Sequence, residues 1–124
     1  MIGAALLRIA RTNWASGLIG RLFARHSRWL PIRRVLETDR AIAFWHPRPS
    51  YPVHVLIVPK HAVASLADLS GDEHDVAAGL VTLAARVATD LGLGRSGFRL
   101  IVNGGVFQDV KQLHLHLIAD HAPR

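Results

Sequence analysis

The strongest constraint on the fold is an alternation near the end of the chain. Residues 112–118 switch between polar and apolar side chains: Gln112, Leu113, His114, Leu115, His116, Leu117 and Ile118. A period of two is typical of a half-buried β-strand, because successive side chains point to opposite faces. The three leucines are therefore predicted to face a core, with Gln112, His114 and His116 in a row on the other face.

The two histidines of this strand allow three interpretations. The first is a strand with two exposed histidines about 7 Å apart. The second is a zinc site, for which His114 and His116 supply only two ligands and His54 would have to be the third. The third is phosphate chemistry with a histidine nucleophile, because the preceding turn, residues 103–105, contains two glycines that can bring backbone N–H groups close to an anion. Spacing alone does not separate metal binding from phosphate chemistry.

The composition excludes several kinds of site and of protein. The chain has 124 residues, enough for one domain with a single core. It has no cysteine, which excludes disulfides, thiolate metal sites and a cysteine nucleophile, and which fits a cytoplasmic location. Its apolar runs are shorter than the roughly 20 residues that a membrane span needs.

The net charge of +6 is concentrated at the N-terminus. Residues 1–36 contain seven arginines and no acidic residue, whereas acids and bases nearly cancel afterwards. The charge therefore belongs to an N-terminal extension, and we expect no nucleic-acid partner.

We predict two parts, a basic amphipathic helical extension over residues 1–30 and a domain over residues 31–124. Apolar residues at helical spacing oppose arginines within the extension. It has three interpretations: a helix that packs on its own domain or on a dimer partner, a helix on an anionic membrane surface, or a targeting sequence.

The domain reads as five strands and one main helix. The strands are predicted at Arg33–Glu37, Arg40–His46, Val53–Val58, Phe98–Asn103 and Gln112–Ile118. A capping box formed by Ser70 and Glu73 begins the helix, and Gly92 and Gly94 end it. Short connections favour an antiparallel sheet with the helix on one face, an α+β fold. His54, among apolar residues, is predicted to be a buried, neutral, hydrogen-bonded histidine.

Four blocks, in this order, resemble the histidine triad (HIT) superfamily of nucleotide hydrolases and transferases. They are an opening hairpin, an apolar strand ending in Pro-Lys, a long helix, and the two last strands with the histidine motif: residues 37–44, 52–60, 65–93, and 98–103 with 108–118. The resemblance covers residues 31 to 121.

The resemblance implies a five-stranded antiparallel sheet that dimerises into a ten-stranded one. It also implies that His114 attacks the α-phosphate of a nucleotide to give a nucleotidyl-histidine intermediate, while His116 contacts the phosphate near the leaving oxygen. Gln108 and Asn103 match positions that lie against the nucleotide in the family. The loop with Gly105 would hold the phosphate, and neither a metal nor another cofactor is implied.

Three positions depart from the family pattern. Gln112 replaces the first histidine of the triad; it donates a hydrogen bond to an oxyanion but delivers no proton. Asp109 replaces a hydroxyl residue and repels a nearby phosphate when ionised. His46 stands where the family has the acid that holds the ribose hydroxyls. We expect His54 to lie at the same pocket.

Two functions remain open at this point. The first is a slow or narrow hydrolase or nucleotidyl transferase acting on a phosphoramidate or anhydride. The second is a binding module that keeps the phosphate pocket but has lost turnover. Both predict a nucleotide or another phosphorylated small molecule as ligand and a homodimer as the assembly, and both allow peripheral membrane contact through the N-terminal helix.

Overall fold

The computed structural model describes residues 32–121. The predicted extension over residues 1–30 lies outside this range, as do residue 31 and the last three residues. The described chain forms β1 (Arg34–Glu37), β2 (Ala41–Trp45), β3 (Val53–Pro59), α1 (His74–Asp90), α2 (Leu93–Ser96), β4 (Arg99–Val102) and β5 (Leu115–Ala119). No helix between residues 32 and 121 is long and apolar enough to cross a bilayer.

The five strands form one sheet in the order β1-β2-β3-β5-β4. Every neighbouring pair is antiparallel. The predicted five-stranded antiparallel sheet with one main helix is therefore confirmed. Strand β5 lies between β3 and β4, with Leu56 opposite His116 and His54 opposite Ile118. This register places His54 and His116 on the same face, because residues of paired strands alternate together.

Helix α1 covers the other face of the sheet and makes the main core. Its buried residues include Leu80, Leu83 and Val87, which are at most 2% exposed and follow the 3.6-residue period of a helix. The helix packs on the alanine and β-branched residues of β2 and β3. The three leucines of the alternating stretch belong to the same core, as predicted: Leu113, Leu115 and Leu117.

A second, smaller apolar cluster lies on the face that carries the histidines. It consists of Ile42, Phe44, Leu56 and Val58, each at most 4% exposed. Among the described residues outside the sheet, Ile32 and Val110 pack against it. The sheet is therefore apolar on both sides, and the histidines stand at the end of an apolar surface.

Most strand ends lie one residue from the predicted positions, and the start of β5 differs more. Strand β5 begins at Leu115 and not at Gln112, because residues 112–114 lie beyond the end of the β3 ladder. Gly92 ends α1 in the left-handed region with φ of 69°, as predicted. Gly94 does not end a helix; it lies inside the short helix α2, which the sequence did not predict.

Candidate active site

Four imidazoles stand together on the sheet face opposite α1. His54 and His116 come from the paired strands β3 and β5, His114 precedes β5, and His46 follows β2. Their ring centroids are 4.3 Å apart for His46 and His54, 5.2 Å for His54 and His116, and 4.9 Å for His114 and His116. Strand pairing thus gathers three separate segments into one group.

The hydrogen bonds around His54 fix the proton positions on two of these rings. The backbone N–H of Ser50 donates to His54 Nδ1 at 3.1 Å, so Nδ1 carries no proton. The proton of neutral His54 is therefore on Nε2, which donates to His116 Nδ1 at 2.9 Å. Neutral His116 must then carry its own proton on Nε2, where it is a hydrogen-bond donor.

His114 has the opposite tautomer. Its Nδ1 lies 2.7 Å from the carbonyl oxygen of Gln112, which only accepts hydrogen bonds. Nδ1 therefore carries the proton, and Nε2 of neutral His114 has a bare lone pair. Residues 114 and 116 thus present a nucleophilic nitrogen and an N–H donor.

Burial favours the neutral forms of His54, His114 and His116. Desolvation lowers the pKa of His54. Desolvation also lowers the pKa of His114, although the Gln112 carbonyl and the charge of Asp109 act in the opposite direction. The pKa of His116 is lowered to about 4, first by desolvation and then by the neighbouring histidines. A charged imidazole in this group would lose water and face like charges, so the neutral forms are favoured.

Two hydrogen bonds to the backbone hold His46 in place. Its backbone N–H donates to the carbonyl of His54 at 2.9 Å. Its Nδ1 accepts the backbone N–H of Arg48 at 2.9 Å, which fixes the start of the proline-rich loop. The imidazole of His46 thus lies against those of His54 and His116.

The glycine loop after β4 forms a separate unit. Asn103 is half-buried at the end of the strand, and Gly105 adopts φ of 59°, a conformation that favours glycine. The Lys111 ammonium group donates to the Gly105 carbonyl at 3.2 Å and closes the loop. Between residues 32 and 121, no hydrogen bond or ring contact joins Asn103 or Gly105 to an imidazole of the group.

The two glutamines and Asp109 have different environments. Gln108 is 5% exposed and Gln112 only 1%. Gln108 Nε2 donates to the carbonyl of Ala64 at 2.6 Å, and Gln112 Nε2 to the carbonyl of His61 at 2.9 Å. The side chain of Gln112 is therefore buried, and its amide is bonded to the backbone of another segment. Asp109 is exposed, and its charge acts on His114.

The zinc interpretation has no geometric support in the described part of the chain. Within residues 32–121, no three His, Asp or Glu side chains are arranged to hold a metal ion. His54 and His116 face each other nitrogen to nitrogen, so one nitrogen of each is used in their mutual hydrogen bond. His54 is instead the buried, hydrogen-bonded histidine that the sequence predicted.

The sequence did not predict a role for His61 at this site. Its Nε2 lies 2.5 Å from Oε2 of Glu73, and its carbonyl holds the amide of Gln112. Glu73 was predicted only as half of the capping box, and its Oε1 does accept the backbone N–H of Ser70 at 3.0 Å. No local pattern signals the contact with His61, because the two residues are twelve positions apart.

Comparison with known proteins shows which family this chain resembles. The family model described as "HIT domain" matches residues 28–122. A HIT-like protein of Synechocystis is 40% identical over 93 residues, which are 73% of this chain and 81% of that protein. The purine nucleoside phosphoramidase of Escherichia coli is 33% identical over 95 residues, 73% of this chain and 78% of that protein.

Solved structures agree as well. A histidine triad protein from Clostridium difficile superposes with a TM-score of 0.74 at 31% identity, covering 86% of this chain and 93% of that one. A HIT family hydrolase from Legionella pneumophila gives a TM-score of 0.75 at 30% identity, covering 84% and 92%. The family model, the curated relatives and the solved structures each match more than two thirds of this chain. The chain belongs to the HIT family.

Proposed function

We propose that this protein is a HIT-type hydrolase or nucleotidyl transferase that acts on a nucleotide phosphoramidate or anhydride through His114. One observation carries the proposal: the Gln112 carbonyl holds the proton of His114 on Nδ1 and leaves the lone pair on Nε2. The similarity to a purine nucleoside phosphoramidase and to a HIT family hydrolase supports this class of reaction.

In the first step, the lone pair of His114 Nε2 attacks the α-phosphorus, and the bond from phosphorus to the leaving group breaks. The electron pair of that bond goes to the leaving nitrogen or oxygen. The Nε2–H of His116 donates a hydrogen bond to a phosphoryl oxygen as negative charge moves through the transition state. The product of this step is a nucleotidyl-histidine.

In the second step, water attacks the same phosphorus and the bond to His114 Nε2 breaks. The nucleoside monophosphate leaves, the imidazole regains its lone pair, and the proton of the water passes to solvent. Gln112 supplies no proton to the first leaving group, because an amide does not titrate near pH 7. We therefore expect a narrow range of substrates, limited to those whose leaving group takes a proton from water or needs none.

The remaining ligand contacts belong to the proposal. Backbone N–H groups of the loop at Gly105 would hold phosphate oxygens, and Asn103 would contact the nucleotide. His46 and His54 would line the pocket on the ribose side. Gln108, whose amide fixes the carbonyl of Ala64, would hold the loop in place from behind.

The test is product release from adenosine and guanosine phosphoramidates, dinucleoside polyphosphates and a nucleotidyl sugar. Wild type and His114→Ala are compared at high enzyme concentration, with His74→Ala as the matched control. His74 is an exposed histidine at the start of α1, away from the imidazole group. We expect nucleoside monophosphate from wild type and His74→Ala and none from His114→Ala.

The buried amide of Gln112 favours a second function, a binding module without turnover. One of its N–H groups is already used on the His61 carbonyl, so the first triad position gives less help to a phosphoryl group. No product from any substrate, together with a nucleotide that raises the melting temperature, would replace the enzyme proposal by this one. No product and no shift would exclude a nucleotide ligand.

The proposed assembly is a homodimer that joins two sheets at β4. This strand is one of the two edges of the sheet, and its Leu100 and Val102 are each more than a third exposed. An exposed apolar edge favours pairing with a second copy. Light scattering should give twice the chain mass for wild type and a smaller mass for Leu100→Glu, while the control Leu66→Glu stays dimeric. A monomeric wild type would refute this proposal.

A cytoplasmic location, with contact to a membrane surface through the basic N-terminal segment, completes the proposal. Its support is the cysteine-free composition and the arginines of residues 1–36. Co-sedimentation with anionic and with neutral vesicles tests the membrane contact, which predicts binding to the anionic vesicles alone.

A further inference from the structure

A short segment between β3 and α1 lies along the chain that leads into β5. Three hydrogen bonds join the two: Leu113 N–H to the Val63 carbonyl at 2.8 Å, Gln112 Nε2 to the His61 carbonyl at 2.9 Å, and Gln108 Nε2 to the Ala64 carbonyl at 2.6 Å. Residues 61–64 therefore continue the contact between β3 and β5 beyond the last paired residues of the two strands.

The same segment is tied to the start of α1. His61 Nε2 lies 2.5 Å from Oε2 of Glu73, and Oε1 of Glu73 accepts the N–H of Ser70 at 3.0 Å. Glu73 is ionised near pH 7, as glutamate ordinarily is, and hydrogen bonds from Ser70 and His61 lower its pKa further. One carboxylate thus connects the first turn before the helix to the segment that holds Gln112.

At its other end this series of contacts reaches the candidate nucleophile. The backbone carbonyl of Gln112 accepts the Nδ1–H of His114 at 2.7 Å. The position of that carbonyl decides where Nε2 of His114 points. The contacts Ser70–Glu73–His61–Gln112–His114 are hereafter called the positioning chain.

We propose that Gln112 is a positioning residue for His114, and that His61 and Glu73 hold it in place. The inference rests on the proposed function of His114. Gln112 is 1% exposed, and its Oε1 is buried with no hydrogen-bond partner among the residues that the structure describes. A leucine at this position would have no unsatisfied polar atom of its own, so packing alone does not explain the glutamine. The amide is accounted for by the link that its Nε2 makes to His61.

The positioning role differs from direct contact with the phosphate. A donor to the phosphoryl group would lie open to the ligand, and its removal would change ligand affinity or transition-state binding directly. A residue that acts through His114 changes the rate of attack and leaves ligand affinity intact. A displacement of about 1 Å at a reacting group lowers a rate by up to about a hundredfold.

The experiment compares kcat and KM of wild type, Gln112→Leu and Gln112→His on the best substrate. In Gln112→Leu we expect kcat to fall by about tenfold or more with KM unchanged. The melting temperature should change little, because the variant also removes the unsatisfied Oε1. Gln112→His keeps an N–H donor for the His61 carbonyl and should regain most of kcat. His61→Ala should cause a smaller loss, since its backbone carbonyl remains.

Asp68→Ala is the control. It removes a hydrogen bond between Ser65 Oγ and Asp68 in the same connection, outside the positioning chain, and should leave kcat unchanged. A wild-type kcat in Gln112→Leu would overturn the proposal. A raised KM with unchanged kcat would also overturn it, because Gln112 would then contact the substrate.

A second readout needs no turnover. Nitrogen NMR of ligand-free protein should find neutral His114 with its proton on Nδ1 in wild type. In Gln112→Leu it should find a mixture of the Nδ1–H and Nε2–H tautomers. If wild type turns over no substrate but this change is seen, the proposed function fails and the positioning role stands. An unchanged tautomer in Gln112→Leu would overturn the positioning role.

Discussion

His114 and His116 are two positions apart in the chain and carry their protons on different ring nitrogens. The difference comes from their partners: a carbonyl oxygen accepts from Nδ1 of His114, while an imidazole N–H donates to Nδ1 of His116. His54 is the residue that sets the tautomer of His116, because the Ser50 N–H has already decided its own. The role of His114 therefore depends on a backbone carbonyl of its own segment, and that of His116 depends on a backbone N–H of another segment, acting through His54.

The lowered pKa of His116 predicts a loss of stability in acid. An unfolded histidine takes up its proton below about pH 6.5, whereas folded His116 stays neutral down to about pH 4. In this interval the unfolded state binds more protons, so the free energy of unfolding falls as the pH falls. Urea unfolding across this interval should give a smaller acid loss for His116→Gln than for wild type. His74→Gln, the exposed control, should match wild type; equal losses in all three would contradict the prediction.

Asp109 predicts a preference among leaving groups. Its carboxylate acts on His114 and should repel a leaving group that is itself a phosphate. We expect Asp109→Ser to raise kcat/KM for a dinucleoside polyphosphate by about tenfold and to change that for a phosphoramidate much less. Asp39→Ser serves as the control. It removes the same charge from the turn before β2, whereas His46 lies after the other end of that strand. A parallel change for both substrates would exclude charge as the cause.

The loop after β4 depends on the conformation of one glycine. Gly105 has φ of 59°, while Gly104 is extended with φ of −139°. A Cβ added at either position meets nothing within 4 Å, so only the backbone conformation distinguishes them. We expect Gly105→Ala to lower the free energy of unfolding by about 1–2 kcal/mol, and Gly104→Ala to change it little. Urea unfolding and KM for the ligand test both variants, and equal behaviour would contradict this role for Gly105.

Sequence periodicity predicted the elements but not the contacts that build the site. The alternation in residues 112–118 predicted which side chains of β5 face the core, and the leucines do so. The same alternation did not predict that the amide of Gln112 is buried and donates to a residue 51 positions earlier. His54 and His116 are 62 positions apart. Residues so far apart in the sequence are brought together by the tertiary fold, which no local pattern predicts.

Glu73 illustrates the same limit at a helix end. Its place three residues after Ser70 predicted the cap, and the carboxylate does accept the N–H of Ser70. Its second oxygen binds His61, and through that contact the start of α1 is linked to the candidate nucleophile. One side chain thus serves a local and a distant purpose, and only the first follows from spacing.

At the scale of the whole molecule, the second apolar cluster provides a test of the interpretations of the N-terminal segment. Ile42, Phe44, Leu56 and Val58 are almost fully buried, and the described residues outside the sheet that pack on them are Ile32 and Val110. The first interpretation of residues 1–30, a helix that packs on its own domain, predicts that they cover this cluster. Deletion of residues 1–31 should therefore lower the melting temperature and increase binding of a hydrophobic dye.

The alternatives for that segment give different results with the same variant. An unchanged melting temperature with loss of vesicle binding would assign the segment to a membrane surface. An unchanged melting temperature with a change from dimer to monomer would assign it to a partner subunit. A targeting sequence would leave stability, vesicle binding and mass unchanged after its removal.

The tautomer of His114 also determines which chemical isomer any covalent adduct must be. Because the proton is held on Nδ1 by a backbone carbonyl, only Nε2 is open to an electrophile. A phosphorylated or nucleotidylated His114 would therefore be the tele isomer, never the pros isomer. The two isomers differ in phosphorus chemical shift and in their rate of hydrolysis in acid, so the regiochemistry of a trapped adduct records the hydrogen bond that the free imidazole made before it reacted.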